Sequence, residues 1–298
     1  FKTYAHEVVG SFDPKRVGID TDYRLLPVSP SIPEGAVMEE LGLFHSATLD
    51  KYYSLTGHRM ALTSQRLARY LPTSAEGLLP RTSLPVLLQS HLLRTFNMRY
   101  LLAAKNDTAM VRFLSQLDGY WRMGETKRAL VFANHDALPR IYFATEIRPF
   151  SQQDLVRALI ENRAPVTCAL VQGLTDPSST LGHGRVVRSS WQQDRVTADL
   201  LAPEGGFLVI SMNYSPDWRA TVDGRPAKLT LTNGTLIGLE VPRGAKRVAL
   251  AYQPESLVRS LWLAFVGVMV MGALFFLIFR RSRNVPYADQ AGVLATPR

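Results

Sequence analysis

Two carboxylates one residue apart can share a divalent cation, and Asp20-Thr21-Asp22 has that form. Many glycosyltransferases use the same Asp-x-Asp spelling to hold a metal–diphosphate. The spelling is short, and this copy lies in a proline-rich stretch near the chain start, where solvated loop acids are the simpler reading. The six histidines, among them His6, His45, His58, His91 and His135, show no metal-ligand spacing and no His-Glu-x-x-His. Gly182-His183-Gly184 hints at a phosphate-binding turn, but no strand-then-helix pattern surrounds it. There is no Gly-x-Ser-x-Gly elbow and no Walker loop. The one cysteine, Cys168, excludes an internal disulfide framework and a Cys-based zinc site. No catalytic residue, metal or cofactor is therefore assigned. Trp218, with Tyr214 nearby, offers an aromatic face for the C–H face of a sugar ring, and Asp223 and Asn233 can add hydrogen bonds. The plainer alternative is that Trp218 plugs a core while Asp223-Gly224 and Asn233-Gly234 are ordinary turns.

These four residues lie in a distinctive stretch. From residue 186 onward, short alternating runs are separated by turn signals about every ten residues. The runs are 195–201, 207–213, 218–222, 227–231, 236–241 and 248–252. Asp-Gly and Asn-Gly supply positive φ cheaply and signal tight hairpins. The expectation is an antiparallel β-sandwich over 186–254. Upstream, residues 36–185 read as a mixed α/β region. Residues 84–96 and 152–162 have helical spacing, the latter capped by Ser151, and 98–103, 129–132 and 141–145 read as strands. Residues 1–35 are rich in Pro and Asp and read as extended or looping chain. The fold class is thus α+β.

Residues 261–279 read LWLAFVGVMVMGALFFLIF, without a charge or strongly polar group. As a helix the run covers about 28 Å, close to the ~30 Å hydrocarbon core of a bilayer. A transmembrane helix is expected over 257–279. Trp262 suits its outer interface, and Arg280, Arg281 and Arg283 place the tail, 280–298, in the cytoplasm. The bulk of the chain is then extracytoplasmic. The body must cross a membrane, yet the sequence opens on Phe1 with no signal-peptide pattern. It is therefore expected to be the C-terminal piece of a longer, multi-spanning protein. With 34 Lys and Arg against 25 Asp and Glu, the formal charge is +9. The excess reads as spread out apart from the arginine cluster, with no basic stripe interleaved with aromatics, so nucleic acid is not an expected partner.

At Tyr214-Ser215-Pro216-Asp217-Trp218-Arg219-Ala220-Thr221-Val222-Asp223-Gly224 the chain resembles the Tyr-x-Pro-Gly-Trp-x-Ala-x-Val-Asp-Gly signature of the bacterial YfhO family of membrane proteins. Asn97-Met98-Arg99-Tyr100 is similar to that family's Asn-Val-Lys-Tyr strand. Asn134 with Ala137-Leu138-Pro139-Arg140 is similar to its Asn…Ala-Leu-Pro-Arg segment, and Tyr252-Gln253-Pro254 precedes a last span in the same way. Asp217 departs from the usual Gly, and Ser215 stands where an aromatic is frequent. The resemblance covers most of 90–280. It implies a polytopic protein of the bacterial plasma membrane, similar to glycosyltransferases that take a sugar from a polyprenyl-phosphate carrier and modify cell-envelope polymers. The catalytic acids are then expected between early membrane helices absent from this chain. The expected partners are the bilayer, those upstream helices, and a polyprenyl-phosphate sugar or envelope glycan. The alternative is a non-catalytic, membrane-anchored binding or scaffold module.

Overall fold

The computed structural model describes residues 24–29, 84–125, 128–174, 183–192 and 194–283. Asp20-Thr21-Asp22, His6, His45 and His58 lie outside them. The described chain divides into two units, at residues 1–252 and 253–298.

In the first unit a four-stranded sheet comes first. β1 (Arg24–Pro27) runs parallel to β2 (Met98–Ala104), and β3 (Tyr120–Glu125) and β4 (Ala129–Asn134) complete the order β1-β2-β4-β3. β2 and β4 are almost wholly buried, which is why MRYLLAA and ALVFAN read as continuous apolar runs. The helix expected over 84–96 is two helices, α1 (Leu84–Gln89) and α2 (His91–Thr95), broken at Ser90. Ser90 is extended (φ −83°, ψ 155°), and its hydroxyl donates to Leu87 O at 2.7 Å. A serine that bonds its own local backbone competes with helix propagation. α3 (Thr108–Gln116) starts at Asp107, whose carboxylate accepts from Met110 N at 3.2 Å.

The middle sheet has the order β5 (Ile141–Phe143), β10 (Gly206–Asn213), β14 (Leu236–Val241), β13 (Leu229–Thr232), β7 (Cys168–Val171) and β6 (Glu146–Pro149). β6 and β7 are parallel, joined through α4 (Gln152–Leu155). Ser151 caps α4 as its sequence predicts, accepting from Asp154 N at 3.0 Å. The helix then widens into a π turn over Val156–Ile160 and stops before Asn162, which takes a positive φ of 56°. Asn162 Oδ1 accepts from His91 N at 2.7 Å and its amide donates to Gln89 O at 3.0 Å. One side chain thus ties the end of this helix to the break between α1 and α2.

β8 (Arg185–Trp191) and β9 (Arg195–Ala202) belong to a third sheet, and β10 (Gly206–Asn213) returns to the middle one. β11 (Trp218–Val222) and β12 (Arg225–Ala227) are again in the third sheet, while β13 (Leu229–Thr232) and β14 (Leu236–Val241) are in the middle sheet. The run expected over 227–231 is therefore two strands, and the chain crosses between sheets at Lys228. β15 (Ala245–Tyr252) completes the third sheet, in the order β12-β11-β15-β9-β8.

The middle and third sheets enclose one core that includes Ile141, Leu208, Ile210, Ile237, Val196 and Leu250. The other face of the middle sheet contributes Tyr142, Phe207, Val209 and Leu236 to a second core shared with α1, α2 and β2. β10 is therefore buried on both faces and reads GFLVISMN, whereas β9 alternates buried and exposed positions. The β-rich architecture agrees with the expected α+β class with packed sheets. The middle sheet draws strands from both sides of residue 186.

The second unit holds α5 (Glu255–Arg283), 29 residues long. Its side chains are described at Ser260 and over residues 262–276, and every one is exposed. Among the described residues no helix is long and apolar enough to cross a membrane, so the transmembrane assignment expected over 257–279 is not part of the observed fold.

Candidate functional site

The resemblance motifs turn out to be joints of the fold. Asn97 has a positive φ of 63° and is fully buried. Its amide donates to Leu138 O at 2.7 Å. Arg94 O accepts from both Asn97 N (3.1 Å) and Leu138 N (2.9 Å). The motif at 97–100 and the motif at 134–140 are thereby fastened to each other. Asn134 donates to the Tyr120 hydroxyl at 3.2 Å, and that hydroxyl donates to Leu88 O at 2.7 Å. Burial pushes the Tyr120 phenol up to about 12. The amide groups of both asparagines donate within the protein itself, and Asn134 Oδ1 accepts from Asp136 N at 2.9 Å.

Arg140 is buried, and its guanidinium lies 3.7 Å above the centre of the Trp191 ring, a cation–π contact. Its carbonyl accepts from Ser211 N at 2.7 Å. Beside it a cleft of about 590 Å³ is lined by Arg140, Tyr142, Phe143, Gly184, Arg185 and Val187. The Phe143 ring packs closely on Gly184, where a Cβ would come to 2.5 Å from its tip and the ring would have to shift. A long-range pairing between residues 140 and 191 leaves no local mark in the sequence.

The four residues singled out for glycan binding fall into two settings. Tyr214 and Trp218 are half-buried against the core between the middle and third sheets. Tyr214 N donates to Thr235 O at 2.7 Å. Trp218 opens β11 and meets Tyr252 edge to face, with ring centres 5.2 Å apart. The loop between them is organised by Ser215 and Asp217. Asp217 N donates to Ser215 Oγ (3.2 Å), Trp218 N to Ser215 O (3.2 Å), and the Tyr252 hydroxyl to Asp217 Oδ2 (3.3 Å). Asp217 stands where the family signature has Gly, yet it is not among the positive-φ residues, so the turn closes without one.

Asp223 and Asn233 are occupied elsewhere. Asp223 (φ 49°) and Gly224 (φ 80°) form the tight β11–β12 turn. The Asp223 carboxylate accepts from Lys246 N (3.1 Å) and Arg247 N (2.8 Å) of β15. Asn233 is fully buried, and its Oδ1 accepts from Leu170 N at 2.8 Å. Trp218 and Tyr214 thus share one end of the sandwich, while Asp223 and Asn233 hold backbone at other points.

Cys168 is buried, and its thiol is pushed up to about 11, first by burial and then by Glu146, with Arg148 acting the other way. That environment suits a packed side chain rather than a nucleophile. Among the described residues no group of three or more His, Cys, Asp or Glu side chains is placed to hold a metal ion.

Residues 166–264, which run from before β7 into α5 and include the 214–224 signature, match the family model described as bacterial membrane protein YfhO. The chain carries a YfhO-family region. No curated protein and no solved structure matches it. The YfhO match takes in both strands that hold Trp218 and Tyr252, while the joints at Asn97 and Asn134 lie outside it.

Proposed function

We propose that this chain is the extracytoplasmic accessory region of a YfhO-like polytopic glycosyltransferase of the bacterial plasma membrane, anchored by α5. The observation that carries the reading is the junction between sandwich and helix. β15 ends at Tyr252 and α5 begins at Glu255, so the two are joined by two residues. Over residues 262–276 the side chains of α5 are apolar on every side, including Trp262, Leu263, Phe265, Met271 and Phe275, all more than half exposed. A helix that is apolar all round needs an apolar surrounding, and in lipid an isolated crossing must be helical. Arg280, Arg281 and Arg283 occupy its last turn, which under the positive-inside rule sets the tail in the cytoplasm.

A reporter fused after Arg298 is expected to be active only in the cytoplasm, while one inserted at the Asp223-Gly224 turn is accessible from outside. An externally accessible reporter after Arg298 refutes the topology. The accessory role predicts no sugar transfer from a polyprenyl-phosphate donor by this chain alone; turnover by it would place the catalytic groups here. The part we assign to Trp218 and Tyr214 is to meet an envelope glycan at the end of the sandwich where Trp218 packs on Tyr252. Trp218→Ala is expected to fold, judged by an unchanged far-UV spectrum, and to lose retention on an envelope-glycan column. Undiminished retention removes Trp218 from the reading.

A further inference from the structure

The outer face of the third sheet gathers arginines that are far apart in sequence. Strand register sets out three rows across it. Arg188 pairs with Asp199, and Asp199 with Arg247. Two positions along, Ser190 pairs with Thr197, Thr197 with Ala249, and Ala249 with Thr221. Two further on, Arg195 pairs with Ala251, and Ala251 with Arg219. A floor of small side chains is thus bordered on both sides by rows that carry guanidinium groups. With about 3.3 Å per residue the two bordering rows stand about 13 Å apart, and four strands make the floor about 14 Å long.

Part of this trough is a concavity of about 370 Å³, lined by Arg188, Arg195 and Arg247, by Ser190 and Thr197, and by Asp199. Arg188, Arg195 and Arg247 are exposed. Among the described residues none of the three guanidinium groups makes a hydrogen bond or an ion pair, even though Asp199 stands between two of them in register. Arg219 is already engaged, donating to Pro216 O at 2.6 Å. Exposed charge also serves solubility and edge protection, but here the guanidinium groups border a floor of small hydroxyl side chains. Guanidinium forks present paired donors matched to oxyanions, and hydroxyls between them add donors at the floor.

We propose that this trough is a binding site for phosphate oxyanions, held by Arg188, Arg195 and Arg247 over the hydroxyls of Ser190 and Thr197. The proposal does not depend on the membrane reading, since it rests on the third sheet alone. The phosphate can come from a soluble phosphate chain or from a lipid headgroup, and the two sources are separable. The test titrates the full chain, in neutral detergent, with tripolyphosphate and separately with dihexanoyl phosphatidylglycerol below its micelle concentration, followed by calorimetry. Binding of at least one probe is expected, weakening as salt rises. The triple variant Arg188→Gln, Arg195→Gln, Arg247→Gln is expected to lose at least tenfold in affinity. The control variant Arg280→Gln, Arg281→Gln, Arg283→Gln removes the same charge elsewhere and is expected to change affinity less than threefold. Loss for tripolyphosphate identifies a soluble phosphate chain, and loss for the phospholipid alone identifies a headgroup. No binding of either probe, or equal losses in both variants, overturns the proposal. If the triple variant does not fold, Arg195→Gln alone is compared with Arg157→Gln, and equal affinities overturn it in the same way.

Discussion

Replacing Asn233 by Ala is expected to destabilise the first unit by about 2–4 kcal/mol, through an unpaired buried N–H and a strained left-handed backbone. The side chain has a specific task. Asn233 Oδ1 accepts from Leu170 N at 2.8 Å while Asn233 N donates to Leu170 O at 2.8 Å. Asn233 therefore treats Leu170 as a neighbouring strand would, using one side-chain and one backbone atom. The rest of the β13–β7 junction is thin: Thr232 pairs with Val171, and Gln172 N donates to Leu231 O at 2.9 Å. β7 in turn carries β6, so this clamp joins the parallel pair to the remainder of the middle sheet. Two contributions can be separated. Asn233→Gly keeps the φ of 49° without steric cost but still loses the acceptor. It is expected to fall between wild type and Ala, about 1 kcal/mol better than Ala. Urea denaturation of the three proteins measures this. A loss below about 0.5 kcal/mol in Asn233→Ala would show that the Leu170 amide finds another partner, and that the clamp is not what holds the sheet.

The same residue shows where sequence reading succeeds and where it stops. Asn233-Gly234 and Asp223-Gly224 signal tight turns because both residues accept positive φ, and both turns are present. The strands around them also follow local pattern, since an alternating run such as β9 records one buried and one exposed face. What a side chain touches across the sheet has no local record. Asn233 reads as a surface turn residue able to meet a sugar, but its partner is 63 residues away and it is buried. The arginine trough is hidden for the same reason. Arg188, Arg195, Arg219 and Arg247 look scattered along the chain, and only the register of four strands sets them on one face. A retrospective signal does exist, in that Arg195-x-Thr197-x-Asp199 alternates with buried apolar residues. It identifies an outward polar row and leaves its neighbours unknown. Ser90 misled for the opposite reason: hydrophobic spacing continues through it, while its own hydroxyl interrupts the helix.

Gly238 tests the packing of the middle sheet most directly. It lies within β14, opposite Val209 of β10 and Thr230 of β13, with a strand on each side. A Cβ built on it would overlap Thr232 Oγ1 and approach the Phe207 ring at 2.5 and 2.7 Å. Neither neighbour can swing into solvent, since Phe207 is 2% exposed and Thr232 0%. Glycine usually weakens a strand, so its place here follows from Phe207, which sits diagonally across the pair and occupies the space a side chain would take. Gly238→Ala is expected to cost about 1–3 kcal/mol by overpacking, and Gly238→Val more. The cause is testable by making room. Phe207→Leu in the Gly238→Ala background is expected to recover about 1 kcal/mol relative to additivity, because contacting residues couple while distant ones do not. An additive double mutant, or a Gly238→Ala protein as stable as wild type, would mean that the sheet yields locally. The double burial of β10 would then be looser than its continuous apolar run implies.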